Sequence, residues 1–198
     1  MNEKGKLRIM ALFGSPRRGG NTDILLEEVL RGIGQKEVEI QKIYPAELNI
    51  SPCRECRKCE ERGKCVISDQ MQEIYSKLLT TDAIILASPI FFYGLTAQTK
   101  AFVDRCQALW ARRYILKMES GRKARAKGWF VAVGATRGAR LFQGAALTVK
   151  YFFDAFAAEY VGELFFSGIE KKEEILSRPA ALQQAFELGK QITKGISR

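Results

Sequence analysis

The sequence predicts an α/β fold: a doubly wound sheet of five parallel strands in the order 2-1-3-4-5, with helices on both faces. Three observations predict it. Strand-like and helix-like segments alternate along the chain. The strand candidates are runs of Val, Ile, Leu and Ala rather than apolar–polar alternations, as expected when both faces of a sheet are covered. The composition, 46% hydrophobic and 27% charged over 198 residues, is that of an ordinary globular protein. One domain over residues 1–198 is the expectation, large enough to bury a core without disulfides or metal, with a cysteine-rich insertion at about 50–67.

The elements follow in order. Leu7–Phe13 is an apolar run stopped by Gly14-Ser15-Pro16 and reads as a buried first strand. Asn21 or Thr22 caps a helix to about Ile33, with Ile24, Leu25, Val29 and Leu30 at helical spacing. Val38, Ile40 and Ile43 mark the second strand. Asp69 caps a helix carrying Met71, Ile74, Tyr75, Leu78 and Leu79 on its apolar side. A third strand over 83–88, a helix over 97–110 and a fourth strand over 128–133 come next. A helix over 145–158, a fifth strand over 160–166 and a helix over 180–193 complete the pattern. Five strands suit the flavodoxin-like order, in which ligands bind beyond the carboxyl ends of strands 1 and 3. That directs attention to the loops after Phe13, Ser88 and Val133.

The chain contains no histidine. Ser-His-Asp and Cys-His nucleophiles, His-ligated metals and imidazole proton shuttles are therefore excluded. Thirty-two basic against 22 acidic residues give a net charge of +10, which calls for an anionic partner or ligand. The apolar run 9–13 is too short for a secretory h-region. The longest uncharged stretch, 83–99, is broken by Pro89 and Gly94 and is too short to span a membrane, so no membrane association is expected. Four of five cysteines fall between Cys53 and Cys65, a clustering that reads as a metal or redox site in a reducing cytoplasm rather than a disulfide framework.

Gly14-Ser15-Pro16-Arg17-Arg18-Gly19-Gly20-Asn21-Thr22 joins a strand to a helix N-terminus, where backbone N–H groups, hydroxyls and an arginine make a nest for a phosphate. Gly20-Asn21 stands where a P-loop requires Lys-Ser/Thr, and Pro16 takes the second glycine position of the dinucleotide fingerprint. A monophosphate suits the loop best; an ordinary glycine-rich turn with a capped helix is the alternative. Ser88-Pro89-Ile90-Phe91-Phe92-Tyr93-Gly94-Leu95-Thr96 is apolar, aromatic and uncharged at the expected ligand edge, where a planar aromatic cofactor would rest; core aromatics are the alternative. In the loop 134–138, after strand 4, Thr136 is the candidate contact to the same ligand, or part of a plain exposed turn.

Those two loops, with Thr96-Ala97-Gln98-Thr99-Lys100-Ala101-Phe102-Val103-Asp104-Arg105, resemble the NAD(P)H-dependent FMN reductase superfamily over residues 7 to about 168. The resemblance implies a flavodoxin-like fold binding FMN. It places Ser15, Arg17, Asn21 and Thr22 on the phosphate and packs Pro89, Phe91, Phe92, Tyr93 and Gly94 around the isoalloxazine ring. It assigns no role to Arg18 or Gly19, and it implies a homodimer or homotetramer.

Cys53, Cys56, Cys59 and Cys65 form C-x2-C-x2-C-x5-C. Three thiolates at successive spacings of three converge on different irons of one cubane, and a fourth returns after a short loop. Structural zinc sites instead place two C-x2-C pairs ~12–20 residues apart. The spacing favours a 4Fe-4S cluster over zinc; reduced thiols or a redox-active pair are the further alternative. Arg54, Arg57, Lys58, Arg62 and Lys64 would offset the charge of a thiolate-ligated cluster. Within the superfamily the motif resembles the iron–sulfur flavoproteins, which carry a 4Fe-4S cluster beside FMN. Cys106 reads as a buried core thiol.

From Asp104 to Lys127 there are eight basic and two acidic residues, a segment suited to an acidic electron donor such as ferredoxin, a nucleotide phosphate or a second subunit, or else simply a solvated face. No nucleic-acid-binding motif accompanies it, so no nucleic-acid partner is expected. The leading expectation is an FMN-dependent oxidoreductase passing electrons between FMN, a 4Fe-4S cluster and a small-molecule or protein donor or acceptor, with NAD(P)H a candidate substrate. The flavin carries the chemistry that the side chains lack. The alternatives are a cluster-free NAD(P)H-dependent FMN or quinone reductase and a non-enzymatic flavodoxin-like electron carrier.

Overall fold

The three central strands of the 198-residue chain are apolar and buried on both faces under helices that cross above and below, whereas the two edge strands are only partly buried. The computed structural model describes residues 6–34, 37–118 and 125–196. The strands β1 (Leu7–Phe13), β2 (Val38–Ile43), β3 (Ala83–Pro89), β4 (Ala126–Gly134) and β5 (Ala158–Ser167) form one sheet in the order β2-β1-β3-β4-β5. Every pairing is parallel, with Ile9 opposite Ile40 on one side and Ala83 on the other. The helices are α1 (Asn21–Ile33), α2 (Lys58–Arg62), α3 (Met71–Thr80), α4 (Ala97–Arg105), α5 (Gln107–Trp110), α6 (Gln143–Ala155) and α7 (Pro179–Ile196). No helix among the described residues is long and apolar enough to cross a membrane.

Alternate residues of the central strands feed two cores. Met10, Leu12, Ile84, Leu86 and Phe130 face α3, α4, α5 and α6, whereas Ile9, Ala11, Ile85, Ala87 and Val131 face α1 and α7. α1 and α7 cross so closely that a Cβ on Gly32 or Gly189 would come within 2.0 Å of a backbone oxygen, Phe186 O or Val29 O respectively. On the other face, the Phe153 ring occupies the space where a Cβ on Gly128 would stand.

The structure corrects two helix boundaries. The helix expected over 97–110 is broken at Cys106. Its cause is the Tyr75 hydroxyl, which donates to Arg105 O (3.0 Å). The Leu109 N–H, which a continuous α-helix would direct to that oxygen, bonds Cys106 O instead. A short α5 follows and widens into a π-turn, Ala111–Ile115. The helix expected to reach 158 ends at Ala155, because Ala157 adopts φ +61° and Ala158 already pairs in β5 opposite Ala126.

Nor is the basic segment one solvated face. Arg105 is buried and Arg113 pairs with Asp154 (2.8 Å); Glu119, Arg122 and Lys123 lie outside the described residues.

Candidate functional site

The carboxyl ends of β1, β3 and β4 bring three loops together. Gly14 ends β1 with its N–H on Ala87 O (2.7 Å), and the hydroxyls of Thr96 and Thr99, at the start of α4, both reach Gly14 O (2.7 and 3.0 Å). A Cβ on Gly14 would lie 2.5 Å from Thr99 Oγ1, so this junction admits only glycine. Ser15 Oγ accepts from the Arg17 N–H (3.1 Å) and donates to Arg17 O (3.0 Å), which curls the loop. Gly19 turns at φ +65°, and Gly20 caps α1 with no side chain to offer. The first N–H groups of α1 are thus left for a ligand, beside the buried Thr22 and the exposed Arg17.

Asn21 is spent elsewhere. Its amide donates to Lys171 O (2.8 Å) and accepts from the Ile175 N–H (3.1 Å), tying α1 to the loop after β5, so its side chain is not free for a ligand. Arg18 lies 3.1 Å over the Tyr44 ring and pairs with Glu47.

Asp23 is a feature that sequence reasoning missed. One carboxylate oxygen accepts from the Gly19 N–H (3.0 Å), and the other is buried with no partner. Burial pushes this carboxyl up to about 6; the Gly19 bond and Arg18 pull it down, while Glu27 and Glu47 push it up. Its only sequence signal is an acid in the first turn of a helix that starts at a phosphate-type loop.

The loop after β3 closes on itself as a tight hairpin. Phe91 N–H bonds Gly94 O (3.0 Å) and Gly94 N–H bonds Phe91 O (2.9 Å). Phe92 and Tyr93 between them hold φ of +50° and +63°. Two successive left-handed aromatic residues cost about 1–3 kcal/mol each, and such strain clusters at ligand sites. Phe92 projects entirely into solvent, and Phe91 and Tyr93 are about half exposed. Tyr93 crosses to the next loop: its hydroxyl would lie 2.8 Å from a Cβ on Gly138, and its carbonyl 2.8 Å from one on Gly144. Pro89 ends β3 half-buried, and Thr136 is exposed in the β4 loop beside this contact.

The cysteines lie apart from these loops but share a cavity of about 870 Å³. It is lined by Cys53, Cys56, Cys59 and Cys65, by Arg105 and by aromatic residues that include Trp110 and Tyr151. All four cysteines are free thiols. Glu55 and Arg57 hold φ of +51° and +57°, so the segment turns sharply between successive cysteines. Burial pushes the Cys59 thiol up, its own backbone hydrogen bond pulls it down, and the neighbouring Cys65, Cys53 and Cys56 push it up further. Among the described residues, no three His, Cys, Asp or Glu side chains are arranged around a single metal ion.

Arg105 is the second residue missed. It is 1% exposed, and its guanidinium grips both ends of the cysteine segment: Nη1 donates to Ser51 O (2.8 Å) and Asp69 Oδ2 (2.5 Å), and Nη2 to Asp69 Oδ1 (3.1 Å). Asp69 also accepts the Ser51 N–H (2.9 Å). Arg105 falls on the apolar stripe of its helix beside Phe102, Cys106 and Leu109, and an arginine there is the signal. Of the flanking bases expected to balance the cysteines, Arg57 and Lys58 pair with Glu55 and Glu61 of the same segment (3.8 and 3.1 Å).

The chain is similar to an iron–sulfur flavoprotein of Methanocaldococcus jannaschii, 39% identical over 66% of this chain and 64% of that one. An iron–sulfur flavoprotein of Methanosarcina thermophila is 32% identical over 58% of this chain and 60% of its own length. The matches therefore span less than two thirds of these curated relatives. Among solved structures, the NAD(P)H:quinone oxidoreductase of Methanothermobacter marburgensis superposes with a TM-score of 0.72 at 14% identity, over 95% of this chain and 96% of that one, a likeness of fold. Residues 7–167, which include all five strands and the three converging loops, match the NADPH-dependent FMN reductase family, and the chain belongs to it.

Proposed function

We propose that the protein is an FMN-dependent oxidoreductase of the iron–sulfur flavoprotein type, passing electrons between FMN, a 4Fe-4S cluster and an external donor or acceptor. When bound, FMN supplies hydride and one-electron chemistry and the cluster one-electron transfer. The residues perform the rest. Thr22, Arg17 and the first N–H groups of α1 hold the phosphate, and Ser15 joins them by turning its hydroxyl away from Arg17 O. Asn21 fixes the start of that helix, contributing its backbone rather than its amide. Pro89, Phe91, Phe92, Tyr93 and Gly94, with Thr136 alongside, border the isoalloxazine ring, and the strained hairpin sets its aromatic rings before the cofactor arrives. Cys53, Cys56, Cys59 and Cys65 ligate the cluster.

The observation that supports the cluster is that all four cysteines line one cavity, in a segment clamped by a buried ion pair. The similarity to proteins named iron–sulfur flavoproteins supports the same reading. NAD(P)H or an acidic carrier such as ferredoxin is the donor, a homodimer or homotetramer the assembly and the cytoplasm the location that fits free thiols. Cys56→Ala tests the assignment: iron and sulfide are lost while FMN stays bound. Iron that survives the substitution would remove Cys56 from the ligand set.

The second reading is a cluster-free FMN or quinone reductase. The flavin loops favour it in one respect: β1, β3, β4 and their loops are complete without any contribution from the cysteine segment.

A further inference from the structure

We propose that Arg105 is a positioning residue of the cysteine centre, closing the 51–69 segment through Asp69 and offering its one unspent N–H, on Nε, to the sulfur-bound group in the cavity. The inference rests on the iron–sulfur reading above. An arginine 1% exposed must spend its donors, because a buried unpartnered N–H is costly. Nη1 and Nη2 are spent on Ser51 O and Asp69, with Nη2 also 3.4 Å from Ile67 O. Nε is buried with no partner. Arg105 is also among the residues that line the cavity shared by all four cysteines.

The electrostatics agree. Burial pulls the Arg105 guanidinium down, but its hydrogen bonds to the Asp69 carboxylate outweigh it and keep it charged. A cluster that gains one electron gains one negative charge, and a buried cation with a free donor favours that reduced form. The exposed bases of the segment are solvated or paired with its own glutamates and exert far less influence. Arg105 thus does two things: it joins the two ends of the ligand loop, and it sets how readily the cluster accepts an electron.

The test compares wild type, Arg105→Lys and Asp69→Asn as purified holoprotein. Iron and sulfide per chain are measured first, then the one-electron midpoint potential in a dithionite titration followed by EPR. Lysine keeps the charge but has neither the Nε–H nor the two-pronged grip, so the potential falls. Asp69→Asn leaves the cation without its counter-charge, so the potential rises. Opposite shifts at near wild-type loading support the proposal, and should Arg105→Lys yield no folded protein, the direction of the Asp69→Asn shift decides alone. Unshifted potentials, or lost iron with an unmoved potential in the remainder, would reduce Arg105 to a structural clamp and overturn it. Wild-type protein devoid of iron and sulfide would overturn the cluster reading, and this proposal with it.

Discussion

Asp23→Asn is expected to stabilise the protein above pH 6 and to destabilise it slightly near pH 4. The carboxyl rises from 3.8 in the open chain to about 6 when buried in the phosphate loop. Between those values the folded state holds a proton that the unfolded state has released. Stability from this group is therefore fully present below pH 4 and is lost as pH rises through 6. A rise of about two pKa units corresponds to about 3 kcal/mol at neutral pH. Asparagine keeps the acceptor for the Gly19 N–H and carries no charge. It also places an NH2 where the partnerless oxygen was, at a cost of about 1 kcal/mol, so the net gain expected at pH 7.5 is about 2 kcal/mol. Equilibrium urea unfolding of wild type and variant at pH 4 and 7.5, at matched flavin content, reads this as a shift in midpoint with unchanged slope. A variant destabilised equally at both pH values would refute the reasoning, because the carboxylate would then be a stabilising clamp rather than a strained charge. With the phosphate at the proposed site, removing this negative charge also tightens FMN binding at pH 7.5.

Three further outcomes follow from the geometry. Arg17→Ala and Thr22→Ala each weaken FMN binding by roughly 10–100-fold, the worth of a charge-assisted hydrogen bond, as measured by fluorescence titration of the apoprotein. Phe92→Gly relieves a left-handed aromatic residue, so stability in urea holds or rises by about 1 kcal/mol while FMN affinity falls about tenfold. Gly32→Ala forces α1 away from α7 at the point where a Cβ would meet Phe186 O at 2.0 Å, and costs about 3 kcal/mol in thermal or urea unfolding.

Strand order and the ligand edge were legible in the sequence because β1, β3 and β4 are near-continuous apolar runs, and because a doubly wound sheet has one switch point. Glycine-rich and aromatic loops at that edge marked the candidate flavin site for the same reason. What escaped was set by contacts distant in sequence. Tyr75 takes the carbonyl of Arg105, 30 residues away, and breaks a helix that contains no glycine or proline to signal a stop. The side chain of Asn21 reads as a phosphate ligand until the loop at 171–175, about 150 residues on, claims both of its polar atoms. The cysteine spacing announced a redox or metal segment. The buried pair that closes it joins residues 36 apart, and no local pattern encodes that. Asp23 shows a third limit: composition records an acid, whereas its raised pKa comes from burial that only the folded loop creates.

The account turns on whether the four thiols hold a cluster beside the flavin. Iron, acid-labile sulfide and FMN per chain, measured on wild-type protein purified without oxygen, test this most directly. The account predicts about four irons, four sulfides and one FMN per chain. One FMN with no iron would contradict it and leave the cluster-free reductase as the function of this fold.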